Sequence, residues 1–481
     1  MKHIHIAAFI LLTGICCSCK KFSDFQVDPN RTTQATPNLL LTSIEITAFN
    51  EVSLASSLAS RYIVYTDGVN NNQYYGWQRG GFGDYDNLRQ VMKMENEAMR
   101  VNKPAYMAIA KFFKSYYIIR LTQTFGDVPY TNALQGDSSN FKPVYDKQQD
   151  IYVKVLDELK AANAMLTDES EALQGDVVYA GDIRKWKRLI NSFSLRVLMS
   201  LSRKESDAAV QVKQRFTEIV SNTSQYPLIE SNADNAKLTF HDLAGNRYPT
   251  FNNNDMQTAY YMEASFVNLL KGLKDPRLFS FAEKAAKFSN LPDGDFTAYA
   301  GVPASAPVND NTAQTTQGII SKINQRYYKS AVNEACLVLS YAELQFILAE
   351  AAARGWISGN AATWYKNGIE ASFDFYGIDA DDYVAQPAVQ LQPGKEIQGI
   401  ITQKYISTFM NSGWLPFYEQ RRTGFPAFDV SGDGMLNNKR IPARWMYPEN
   451  ELKYNQENVT SAISGQYSGD DDINGQMWLL K

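Results

Sequence analysis

The stretch RKWKRLINSFSLRVLMSLSRK, Arg184–Lys204, constrains the fold more than any other. Trp186, Leu189, Ile190, Phe193, Val197, Leu198 and Leu201 recur at three- and four-residue steps, the period of an α-helix. Leu195 and Met199 widen that stripe until the helix is apolar on more than one side, so it must be covered by other helices. Arg196, Arg203 and Lys204 place cations toward its end, where the helix dipole favours them. A chain organised around such a segment is a packed helical protein with its core near its middle.

Further helical patterns run through Pro37–Asn50, Ser53–Tyr65, Asp86–Arg100, Pro104–Thr124, Lys147–Leu166, Ser206–Val220, Ala264–Leu273 and Lys395–Met410. Thr36 before Pro37 has the form of an N-cap with proline at the first helical position. Leu339–Trp356 and the segment AATWYKNGIEASFDFYG are separated by only a short SGN link, which predicts an antiparallel hairpin, with Gly355 and Gly377 at cap positions. The expected fold is mainly α: a tetratricopeptide-like array of helix hairpins with loop-rich segments packed against it and few short strands.

The first residues carry an address. Lys2 precedes an apolar run, Ile4–Ile15, of secretory-signal length and too short to span a bilayer. It ends in CCSCKK, where Ser18 precedes Cys19, the arrangement in which a lipoprotein cysteine is exposed and acylated. Residues 1–18 are therefore expected to be a signal peptide, Cys19 the lipidated (palmitate-bearing) mature N-terminus, and 19–36 a polar stalk. Residues 37–481 would form one α domain. Of the cysteines beyond that point only Cys336 remains, so no internal disulfide is available and its thiol reads as a small buried hydrophobe.

Several chemistries are poorly served. Removing residues 1–18 also removes His3 and His5, and the remaining His241 cannot make a two-histidine metal site. No GxSxG elbow, GxGxxG or Walker-type loop occurs, and no cofactor is expected. A formal charge of −4 offers no basic field for nucleic acid. DVSGDGMLNNKR begins as a calcium loop would, at Asp429, Ser431 and Asp433, but its twelfth position is Arg440 in place of the bidentate glutamate, so a surface turn is expected and no metal.

What the chain does offer is rings beside amides. Aromatic residues make up 12% of it, with 28 Tyr, and they gather in glycine- and asparagine-rich loops. Asp67–Tyr85 carries Asn71, Asn72, Tyr74, Tyr75, Trp77 and Arg79, and a second cluster holds Asn253, Asn254 and Tyr260 within the loop-rich stretch 226–316. A pyranose presents an apolar face to stack on and hydroxyls that planar amides and guanidinium groups bind well. Trp77, Tyr74 and Tyr75 are the expected stacking rings, Asn71, Asn72 and Arg79 the expected hydroxyl partners, and Asn253, Asn254 and Tyr260 a second wall. The alternative is a loop whose rings tuck back onto the helices, as Tyr85 is expected to do.

Seven segments in order, among them TFGDVPYTNAL, DPRL, AELQFILAEAAARGW, EQRRTGFPAF and KRIPARWMYPENELKYNQ, resemble the SusD/RagB nutrient-binding outer-membrane lipoproteins of Bacteroidetes-type bacteria. The resemblance runs from about Cys19 to the final residues. It implies a tetratricopeptide-like fold and a lipid-anchored protein on the outer face of the outer membrane. It further implies a lid for a SusC-like TonB-dependent transporter, capturing oligosaccharides without catalysis. A peptide-capturing lid of the same architecture and a surface glycoside hydrolase with paired carboxylates are the other readings. The motif residues Trp414, Arg421, Arg422 and Arg444 are expected to serve packing and ion pairing.

Overall fold

A computed structural model describes residues 35–136 and 139–481; the expected signal peptide, Cys19 and nearly all of the stalk lie outside these. The helices are α1 (Pro37–Phe49), α2 (Asp84–Arg100), α3 (Pro104–Phe125), α4 (Gln148–Met165), α5 (Ile183–Ser200), α6 (Val212–Ser221), α7 (Ala264–Gly272), α8 (Tyr341–Ala353), α9 (Ala361–Tyr376), α10 (Glu396–Ser407), α11 (Leu415–Thr423) and α12 (Gln456–Tyr467), with shorter turns between them. Among the described residues four short strands occur: β1 (Ile63–Tyr65) pairs antiparallel with β3 (Tyr260–Met262), and β2 (Ala236–Leu238) with β4 (Cys336–Leu339). This is the helical, tetratricopeptide-like array that the periodicities predict. No helix among the described residues is long and apolar enough to cross a membrane.

The central stretch folds as α5. Asp182 caps it by accepting from the Arg184 and Lys185 amides, and Leu201 ends it. Trp186 is fully buried, its ring against Phe49, Phe112, Phe113 and Tyr179. Its indole Nε1 donates to Asp176 Oδ2 at 2.9 Å, so the one polar atom of the ring is satisfied in the core. Removing the cap should be felt: Asp182→Ala is expected to cost about 1 kcal/mol in urea unfolding, the usual value of an N-cap carboxylate. An unchanged midpoint would show that the cap bonds contribute nothing.

Hairpins build the array around α5. A three-residue turn, Val101–Lys103, folds α3 back on α2, and α4 packs on α3. Gly126 ends α3 at φ +87, and a Cβ there would lie 2.0 Å from Gln466 Oε1, so only glycine lets α12 approach this closely. The predicted pair α8–α9 is present, with α10 against α8. Gly377 closes α9 in the left-handed conformation. Ser340 caps α8 by accepting from the Glu343 amide at 3.1 Å.

Two expectations need correction. The helix foreseen over Ser53–Tyr65 covers only Leu54–Ala59; Arg61 then turns at φ +60 and the β-branched pair Ile63–Val64 enters β1. The helix foreseen from Ser206 starts at Val212, because Asp207 Oδ1 caps a preceding turn by accepting from Ala209 and Val210. Cys336 is buried as expected, its Sγ bonded to the Glu51 amide and the Asn411 carbonyl. His241 is exposed.

Candidate functional site

The β1–β3 ribbon brings the two loop-rich clusters together. Tyr65 lies directly across from Tyr260, so both side chains share one face of the ribbon, with ring centroids 5.0 Å apart. The Thr66 amide extends the pairing by donating to the Ala259 carbonyl at 3.0 Å. After β1 the chain turns through Asp67–Gln73 and returns: Gln73 Oε1 accepts from the Tyr65 amide at 2.7 Å, and Arg61 Nη1 holds the Gln73 carbonyl at 2.5 Å. Before β3, Asn253 caps a short helix by accepting from Met256 N at 3.0 Å. Asn254 and Asp255 open that helix on its exposed side.

The result is a shallow face centred on the half-buried Tyr65, with Tyr260 packed beneath it at 7% exposure. Asn71 and Asn254 are exposed and Asn72 half-buried, and among the described residues none of their side-chain amides is hydrogen-bonded. Burial, then the charge of Tyr65, then that of Asp255, pushes the Tyr260 phenol up to about 12. Burial followed by Asp255 and Asp67 raises that of Tyr65. Both hydroxyls are thus protonated at neutral pH and able to donate. Rings, free amides, donor hydroxyls and flanking carboxylates are groups that recognise a polyhydroxylated ligand.

Several of the residues singled out by composition are elsewhere. Tyr74, Tyr75 and Trp77 are 1%, 0% and 6% exposed, so no ligand ring can stack on them in this structure. Trp77 stacks on Trp445 at 4.6 Å and 8°, meets Trp414, Phe417 and Tyr75 edge-on, and donates its Nε1 to the Arg444 carbonyl. Tyr75 carries the Arg61 guanidinium over its ring at 4.2 Å, and the Tyr74 hydroxyl donates to the Ala306 carbonyl. Arg79 is committed as well: its Nη1 donates to the Tyr447 carbonyl and to Asp471 Oδ2, each at 2.7 Å. Of these four side chains Trp77 and Arg79 fasten the loop to the C-terminal segment, while Tyr74 is held at Ala306 and Tyr75 at Ala59 and Arg61. Tyr65, Asp67 and Asp255 are the residues the composition argument missed. The strand-forming IVY run was the signal that Tyr65 leaves the helix.

Beside the Trp77 cluster, between α3, α5 and α11, lies a partly open cavity of about 280 Å3 bordered by Trp414, Trp445, Arg120 and Arg421. Its charges are mostly met from within. Arg120 pairs with Glu51 at 2.6 Å and Asp84 at 3.3 Å, and Arg422 with Glu350 and Glu419, each at 2.5 Å. Arg421 donates to the Ala443 and Gln123 carbonyls and lies 4.5 Å from the Tyr418 ring. Arg444 is fully buried, pairing with Asp471 and covering Tyr467. Arg277 is equally buried on Asp275. These motif residues are scaffold. In the Asp429 loop, Asp429 accepts from Ser305 and Ser431 while Asp433 pairs with Lys439, which makes it the turn expected.

Residues 29–448 match the sequence profile of a family, SusD-like, described as starch-binding and associating with the outer membrane. The chain belongs to the SusD-like family. Solved structures agree over nearly its whole length. A SusD homologue from Bacteroides fragilis is 41% identical with a TM-score of 0.86, covering 93% of this chain and 100% of its own. A Bacteroides vulgatus outer-membrane protein, described in connection with nutrient binding, is 36% identical with a TM-score of 0.87 and the same coverage. A chitin-binding protein is 26% identical with a TM-score of 0.76, covering 93% of this chain and 100% of its own. No curated protein matches the chain. Membership in the SusD-like family makes this an outer-membrane-associated binding protein of the nutrient-binding type.

Proposed function

We propose that this SusD-like protein captures oligosaccharides on the Tyr65–Tyr260 face and acts as the lid of a SusC-like TonB-dependent transporter. The face itself carries the reading: the half-buried ring of Tyr65, backed by the buried Tyr260 and rimmed by the uncommitted amides of Asn71, Asn72 and Asn254. Tyr65 supplies the stacking surface, the amides take the hydroxyls, and Asp67 and Asp255 accept from further hydroxyls. The starch-binding description of the family and the chitin-binding relative support a glycan as ligand. The lipidated Cys19 and the stalk to residue 36 tether residues 37–481 as one unit on the exterior of the outer membrane. Tethering raises the local concentration of lid at transporter, so a modest interface suffices. Most cavity charges are paired with one another, Arg421 being held by carbonyls, and capture needs no bond making or breaking.

The test uses the soluble chain beginning at residue 20, mixed with malto- and chito-oligosaccharides and with peptides, and analysed for retained and released ligand by mass spectrometry. Intact retained glycan is expected. Tyr65→Ala should weaken retention on the order of tenfold, since a stacked ring contributes about 0.5–1.5 kcal/mol beyond its buried area. Asn71→Ala combined with Asn254→Ala should weaken it similarly, at about 0.5–1.5 kcal/mol per lost hydrogen bond. Retention indifferent to all three substitutions would remove the ligand from this face. Peptides retained alone would change the ligand class, and shortened glycans would make the protein a hydrolase.

A further inference from the structure

A second depression, of about 640 Å3, lies between β2, the segment Arg326–Ala335 and the end of α9, and shares no lining residue with the tyrosine face. Its size falls within the range of about 300–1,000 Å3 typical of small-molecule sites. The lining is polar, with amides, hydroxyls and charges of both signs, and one ring, Phe375, half-buried at its edge.

Its walls are organised. On one side Asn235 Oδ1 accepts from the Tyr341 amide at 2.7 Å, and Asn235 Nδ2 reaches Asn232 Oδ1 at 3.3 Å. Asn232 Nδ2 in turn donates to the Ala371 carbonyl at 2.9 Å and to Asp374 Oδ2 at 2.7 Å. On the other side Arg326 Nε donates to Asn333 Oδ1 at 2.9 Å, and its Nη2 pairs with Glu334 Oε2 at 2.7 Å. Lys237 and Thr239 project from β2 and the residue after it.

What remains after these bonds is available. Among the described residues Asp374 Oδ1, Arg326 Nη1, Lys237 Nζ and Thr239 Oγ1 have no protein partner. Asn333 Nδ2 is buried without one, and the Glu334 carboxylate is turned inward to Arg326 and Tyr327, which fixes this wall. The chained, fixed amides of Asn232 and Asn235 set one wall of the basin in place, which a dent of mobile side chains would not have. Preorganised polar groups on opposite walls with a ring at the edge suit a ligand with hydroxyls around its rim and an apolar face.

We infer that this basin is a second saccharide subsite, holding one or two sugar units of a neutral oligosaccharide. Phe375 packs the apolar face of a ring, Asp374 accepts from one hydroxyl pair, and Lys237 and Arg326 donate to others. The inference rests on the glycan reading of the tyrosine face and extends it: the basin is a second, separate place on the chain at which a saccharide is held.

The test titrates maltoheptaose and chitopentaose into the chain beginning at residue 20, in wild type, in Lys237→Ala/Asp374→Asn, and in Tyr65→Ala/Asn71→Ala, by equilibrium dialysis. Circular dichroism melts confirm that each variant folds. The basin variant is expected to lose at least fivefold in affinity for whichever probe the wild type binds, or to drop from two sites to one. Losses in the tyrosine-face variant alone, with the basin variant matching wild type in affinity and stoichiometry, overturn the basin and leave the glycan reading standing. A wild-type chain that takes up neither probe overturns both.

Discussion

Trp77→Ala destabilises the protein by about 3–5 kcal/mol, the cost of deleting a buried tryptophan from a packed core. The indole is enclosed by Trp445, Trp414, Phe417 and Tyr75, and its Nε1 is bonded to the Arg444 carbonyl at 3.1 Å. Truncation leaves a void next to the 280 Å3 cavity that Trp414 and Trp445 already border, and the two volumes can join. The rigid frame of α11 on one side and the C-terminal segment on the other gives the site little freedom to collapse. The carbonyl of Arg444 loses its donor as well, although a water entering the enlarged cavity can replace it. Trp77→Phe keeps most of the ring contact and is expected to cost less than half as much. Urea unfolding of the three chains measures this directly. The molecules that remain folded should retain glycan as the wild type does. A Trp77→Ala chain of wild-type stability that has lost glycan retention would reverse the assignment and make Trp77 a ligand ring.

That substitution also marks where sequence reasoning ends. Periodicity found α5 and the α8–α9 hairpin because a helix repeats its buried face every three to four residues, and each such segment states its own environment. The buried thiol of Cys336 and the glycine stop at Gly377 were legible for the same reason: one residue type with one dominant physical demand. The loop Asp67–Tyr85 has no period. Its composition states that rings, amides and glycines are present, but whether a ring faces solvent or core depends on residues hundreds of positions away. Trp77 is buried by Trp414 and Trp445, and Arg79 is occupied by Asp471; neither partner is marked as such in the loop itself. Tyr65 was hidden differently. It follows a genuine helix; the IVY run marks a strand there, but the φ +60 turn at Arg61 and the pairing with Tyr260 are set by the fold. The polar basin beside β2 joins three segments of ordinary composition, and only the fold brings them together.

Glu45→Gln gives the second large effect, and its sign depends on pH. Glu45 lies on α1 with no exposure; its Oε2 accepts from the Val177 amide at 2.7 Å, and its carboxyl also faces that of Asp176. Asp176 beside it accepts from the amides of Val178, Tyr179 and Gly181 and from the Trp186 indole. Burial first, and the Asp176 charge second, raise the Glu45 carboxyl from 4.5 to about 10. The folded protein therefore holds a proton on Glu45 that the unfolded chain releases above about pH 4.5. The stability this group contributes is fully present below that pH and is lost progressively as pH rises toward 10, at up to about 1.4 kcal/mol per unit. Glutamine keeps the shape and stays neutral, so the variant escapes the loss. Relative to wild type it should be nearly neutral at pH 5 and more stable at pH 8, the gap widening by about 1 kcal/mol per unit in paired urea titrations. Other titrating groups are common to both chains and cancel in the difference. Parallel pH profiles would mean that Glu45 is charged in the folded state beside Asp176. That arrangement would require a compensating cation, and among the described residues no lysine or arginine forms an ion pair with either carboxylate.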